Sequence, residues 1–67
     1  MTQTQRVFDY MLTHGSISSK EAMNDLGVMR LASRIHDLKE SGVSIKSWTE
    51  KNRNRFGDEV RYTRYSL

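Results

Sequence analysis

Lys51, Arg53 and Arg55 recur at every second position near the end of a 67-residue chain, with Asn52 and Asn54 between them. In a strand that spacing puts three cations on one side. At a loop tip it gathers them within reach of one run of phosphates or a minor groove. The asparagines add hydrogen-bonding capacity without opposing charge. A second group lies upstream, where a helix-like stretch carries Met29, Ser33 and His36 opposite its apolar stripe, flanked by Arg30, with Arg34 at the border of the stripe. Arginine is the usual bidentate reader of guanine, and serine and histidine can reach a phosphate. Both groups suit contact with a polyanion rather than the making or breaking of bonds.

The charge distribution points the same way. Through Gly42 five Lys/Arg meet five Asp/Glu, whereas from Val43 onward six basic residues face three acidic ones, so the formal +3 lies in the last part of the chain. A localised basic field favours a polyanionic partner over evenly spread charge. Catalysis finds no such support. There is no cysteine, His14 and His36 lack metal-ligand spacing, and no glycine-rich phosphate loop occurs. The acidic residues stand at helix starts and turns, where capping accounts for them. A non-enzyme without metal or cofactor is therefore expected. No apolar run approaches the ~20 residues of a membrane span, no signal-peptide pattern precedes the first amphipathic segment, and no disulfide can staple a small secreted fold. The expectation is a cytoplasmic protein with no membrane partner.

The elements that position these groups are set off by four glycines. Before Gly15, Val7, Tyr10, Met11 and His14 recur at helical spacing, with Phe8 and Leu12 widening the stripe. Thr2 with Gln5 reads as a capping box, Thr4 being the other candidate cap. Ser18 with Glu21 forms a second box, ahead of an apolar face of Ala22, Met23 and Leu26, and Gly27 ends that helix. Ile17 is placed to act as a hydrophobic staple or a short edge strand. Only Gly27 and Val28 then precede a third helix, whose Leu31, Ile35 and Leu38 should pack against Val7, Met11 and Leu26. Helices joined so tightly cross at a large angle, which makes a helix-turn-helix. After Gly42 the period changes to 2 through Val43, Ile45, Ser47 and Thr49, and the closing "VRYTRYSL" is also strand-like. Between them "KNRNRFGDE" reads as the tip of a hairpin. The fold class is α+β, one domain over residues 1–67, with three helices and a C-terminal hairpin.

This order, with the tight turn at Gly27 and the basic hairpin, resembles the winged helix-turn-helix family of DNA-binding domains over essentially the whole chain. More narrowly, "TQRVFDYMLTHGSIS", "GVMRLASRIHDLKESG" and "RYTRYSL" look like very small winged-helix proteins of bacterial viruses and prophages. The resemblance implies that residues 28–41 are the recognition helix and residues 51–59 the wing. It implies duplex DNA as partner and a small regulator of transcription or recombination as the role, in the host cytoplasm if viral. Met29 stands where a Thr or Ser often caps the recognition helix, which removes a hydroxyl that commonly reaches a phosphate.

Within that frame each residue has a competing role. Arg34 can pair with Asp37 inside its own helix, whereas Arg30 has no acidic residue three or four positions on. His36 projects outward toward surface or phosphate. Trp48 should face away from the core, roughly across the hairpin from Tyr62, either as a stiffening cross-strand pair or as a protein interface. The rival reading follows from that patch: a module that blocks a host protein through Trp48 and Tyr62. A single domain of this kind covers only about 600–1,000 Å² of its own surface on DNA. Two or more copies on repeated half-sites, or a partner, are therefore expected.

Overall fold

A computed structural model describes residues 2–67 of the chain. The elements run α1 (Gln3–His14), β1 (Ile17–Ser18), α2 (Ser19–Leu26), α3 (Leu31–Glu40), β2 (Lys46–Arg53) and β3 (Glu59–Ser66). Both expected capping boxes form. The Thr2 hydroxyl accepts from the Gln5 amide while the Gln5 side chain accepts from the Thr2 amide, and Ser18 and Glu21 repeat the arrangement. Each box satisfies two amides that the helix itself leaves free. Gly27 ends α2 in the left-handed region at φ 68°, a conformation that a side chain would strain.

The three strands form one antiparallel sheet in the order β1-β3-β2. β1 pairs Ile17 with Tyr65 and Ser18 with Arg64, so Ile17 does open a short edge strand. β2 and β3 pair along their full length, from Lys46 opposite Ser66 to Arg53 opposite Glu59. At the tip the Asn54 amide donates to Asp58 O, and the Gly57 amide donates to Asn54 O. Gly57, at φ 82°, supplies the left-handed residue that a three-residue hairpin loop needs. The Asn54 side-chain oxygen accepts from the amides of Phe56 and Asp58 and holds the loop closed.

The core lies where the helices meet the base of the sheet. It consists of Val7, Met11, Ile17, Ala22, Val28, Leu31, Ile35 and Leu38, flanked by the partly buried Phe8, Tyr10, Leu26, Val43, Ile45 and Tyr65. The expected contact of the α3 stripe with Val7, Met11 and Leu26 is present. Two expected core residues are not in it: Leu12 is 61% exposed and Met23 46%. A helix against a small sheet buries only a narrow stripe, and both residues lie at its margin. The boundaries also shift. The turn before α3 spans Gly27–Arg30 rather than two residues, and α3 itself runs from Leu31 to Glu40 instead of 28–41. Val28 is buried in the turn, which spends it as a core anchor and leaves no helical turn before Arg30. β2 begins at Lys46, since Val43 and Ile45 precede the ladder and pack on the helices.

Candidate nucleic-acid interface

α3 turns Leu31, Ile35 and Leu38 inward, so its opposite side is the surface available to a partner. Met29 (76% exposed) and Arg30 stand at the entrance to the helix, Ser33 is partly buried, and His36 projects fully. Arg30, not Met29, occupies the capping position, and no side chain caps the helix. Arg30 joins no ion pair among the described residues. Arg34 does: its Nε lies 3.3 Å from Asp37 Oδ2 on the same helix. That nitrogen is buried and makes no hydrogen bond, and Asp37 Oδ2 also accepts from Thr4 Oγ1 at 3.5 Å. Arg34 is thus turned along the margin of the helix toward α1, while Arg30 remains free. His36 Nε2 sits 3.4 Å from Glu40 Oε1 with both side chains about 70% exposed, a contact that water screens.

The wing is partly strand and partly loop. Lys51, Asn52 and Arg53 belong to β2, whereas Asn54 and Arg55 enter the tip. All residues from Lys51 to Arg61 are exposed, and the free end of the hairpin helps to draw the molecule out to 39 × 21 × 20 Å. Lys51 and Arg53 share a face by the period-2 rule, as expected, and the ladder sets Arg61 directly opposite Lys51. Like charges facing each other across a ladder are destabilising. Glu59 moderates the pair, lying 3.9 Å from Lys51 Nζ and 3.5 Å from Arg61 Nε. Arg53 donates to Gly57 O at 3.0 Å, and its own amide donates to Asn52 Oδ1. Arg55 stacks on the exposed ring of Phe56 at 5.8 Å. Both asparagine oxygens are therefore occupied by backbone amides, and the cations supply most of what the tip can offer an anion.

Trp48 and Tyr62 lie roughly across the hairpin from each other, as the sequence suggested, but not as a directly opposed pair. Trp48 faces Arg64 and Tyr62 faces Glu50, because the three-residue loop sets the register one pair further along. The two rings are diagonal neighbours that share one carboxylate: Trp48 Nε1 donates to Glu50 Oε1 and Tyr62 OH to Glu50 Oε2. These bonds, with the nearby Arg64, hold the Glu50 carboxyl below the usual carboxylate range.

Arg64 is the residue that sequence reasoning passed over. Its guanidinium donates to Ser16 Oγ (2.8 Å), to Glu21 Oε1 and Oε2 (2.9 and 3.3 Å) and to Glu50 Oε2 (3.2 Å). It ties the N-terminus of α2 to both strands of the hairpin. Hydrogen bonding to Glu21 raises its own pKa, and burial pushes the Glu21 carboxyl up by less than Arg64 and Ser18 pull it down. Beside this clasp a groove of about 450 Å³ opens between α2 and the wing, with Lys20, Arg53, Arg61 and Arg64 on its walls. Arg61 counts among the basic residues of the closing segment, but its place opposite Lys51 follows from the register of the hairpin. Arg64 carried no local signal, its partners lying as many as 48 residues away.

A helix-turn-helix backed by a small antiparallel sheet, with a basic hairpin projecting from it, is the architecture of winged helix domains. The chain belongs to the winged helix-turn-helix domain family, whose model matches residues 2–67. Membership supports DNA binding in general. No curated protein and no solved structure matches the chain. Among the described residues no helix is long and apolar enough to cross a membrane, and no cluster of His, Asp or Glu could hold a metal ion.

Proposed function

We propose that the protein binds duplex DNA in a sequence-specific manner, with α3 in the major groove and the wing on the backbone or in the minor groove. The role that fits is a small regulator of transcription or recombination in a bacterial virus or prophage, working in the host cytoplasm. The observation that carries the reading is the exposed end of the hairpin. Four cations there, Lys51, Arg53, Arg55 and Arg61, face only Asp58 and Glu59, and two of them oppose each other across the ladder. A phosphate between Lys51 and Arg61 would relieve that repulsion. Arg30 provides the base-reading candidate: it is exposed, stands at the start of α3 and has no carboxylate partner among the described residues. Met29, Ser33 and His36 share its side of the helix, whereas Arg34 would have to leave Asp37 to join them.

Selection of bound sequences from a random duplex pool tests this for the parent and for Arg30→Ala. The variant should keep its fold and most of its affinity for random DNA, yet lose preference at one base position, worth ~1–3 kcal/mol of discrimination. An unchanged consensus would remove Arg30 from base reading. Titration of random duplex at two salt concentrations separates this reading from a host-protein blocker acting through Trp48 and Tyr62. Only a phosphate binder loses affinity steeply as salt rises.

A further inference from the structure

Among the described residues the outer edge of β2 carries no partner strand, and the way its amides are disposed selects one. At the wing tip the Asn54 amide closes inward onto Asp58. In an antiparallel ladder the inward positions alternate, so Asn52, Glu50, Trp48 and Lys46 bond to β3 and the amides of Ser47, Thr49, Lys51 and Arg53 point outward. Tyr65, outward on the far side of β3, meets β1 in keeping with this alternation. The Arg53 amide is taken at 2.8 Å by Asn52 Oδ1, which closes the edge toward the wing. The open stretch is thus Ile45–Lys51, and its midpoint is Trp48. That tryptophan is 41% exposed.

We infer that this edge pairs antiparallel with the same edge of a second copy, with the two-fold axis at Trp48. In that register Ser47 exchanges backbone hydrogen bonds with Thr49 of the second copy. Trp48 lies opposite Trp48 in a non-hydrogen-bonded pair, where side chains approach most closely. Lys46 lies opposite Glu50 of the second copy, twice over. Lysines on an edge ordinarily discourage pairing, but Lys46 is an exposed cation with no ion-pair partner among the described residues, and here it gains one. Glu50 can accept it, since Oε1 receives only the Trp48 indole. Moving the axis to Glu50 would instead set the two Glu50 carboxylates against each other. The result would be a six-stranded sheet through two molecules, and it does not rest on the DNA reading.

Sedimentation equilibrium of the full chain without DNA, from low micromolar to near-millimolar concentration, should show a monomer–dimer equilibrium. Thr49→Pro removes an outward amide that the hairpin does not use, and Lys46→Glu sets like charges against Glu50; each should weaken association by about tenfold or more. Because the chain has no cysteine, Trp48→Cys reports the register through a single disulfide at the axis in oxidising buffer. A parent that stays monomeric throughout overturns the inference. So does a Lys46→Glu variant that associates as the parent does, which decides the matter even if Thr49→Pro disturbs the hairpin. A Trp48→Cys chain that forms no cross-linked dimer counts equally against it.

Discussion

Replacing Arg64 by methionine keeps about the apolar stem of the side chain and removes the guanidinium that joins α2 to the hairpin. The guanidinium loses two bonds to Glu21 and one to Ser16, and the Glu21 carboxylate keeps only its capping contacts. A buried charge-assisted bond contributes about 1.5–3 kcal/mol, but the Glu21 side chain is 33% exposed, so solvent screening reduces the gain. With nothing counted for Glu50, whose side chain is 36% exposed and already shared with Trp48 and Tyr62, the loss should be about 1–2 kcal/mol. In a domain of this size each kcal/mol moves the melting midpoint by about 4–8 °C, so Arg64→Met should melt about 4–16 °C below the parent at neutral pH. Circular dichroism of the helices reads this directly.

The same melts repeated in acid test the cause. Arg64 and Ser18 hold the folded Glu21 carboxyl below its ordinary value despite its partial burial. A depressed carboxyl stabilises the fold above the unfolded value of about 4.3, and that contribution disappears as pH falls through the folded value. The gap between parent and variant should persist from neutral pH down to about pH 5 and close well below pH 4. A midpoint within about 2 °C of the parent at neutral pH would refute the clasp, leaving Arg64 as a surface ion pair. A gap of constant size down to strong acid would show that poorer packing, not charge, was responsible.

Ile35→Ala should cost ~2–5 kcal/mol, since Ile35 is 2% exposed in the middle of the core, and an unchanged thermal midpoint would contradict the packing of α3. Tyr10 donates to Asp25 Oδ2 at 2.8 Å; this bond, with burial and nearby acids, pushes its pKa up to about 12. Stability from that raised group is present below about pH 10 and lost as pH climbs through the folded value, so Tyr10→Phe should flatten the alkaline fall in the melting midpoint. Replacing Lys51, Arg53 and Arg55 by glutamine should lower the slope of log affinity against log salt by ~0.9 for each phosphate no longer neutralised, alike for all sequences. A triple variant that binds random duplex as well as the parent would end the wing reading.

Local chemistry determined much of this protein. Thr2 with Gln5 and Ser18 with Glu21 start helices because a hydroxyl and a carboxamide or carboxylate three residues apart can satisfy free amides without help from the rest of the chain. Gly27 and Gly57 sit where the backbone turns left-handed, and the Leu31–Ile35–Leu38 stripe told which side of α3 is buried. The basic residues of the wing were legible from their spacing alone. Tertiary structure decided the rest, wherever two distant segments had to be compared. The hairpin register, which put Trp48 opposite Arg64 and Tyr62 opposite Glu50, depends on one loop of three residues, and a change in its length would regroup every cross-strand pair. Burial of Val28 in the turn left α3 to begin at Leu31, with Arg30 at the capping position and no side chain capping the helix. Arg64 acquired its role from Ser16, Glu21 and Glu50 together. No local pattern announces such a residue, because its bonds exist only after the chain has closed the distance between them.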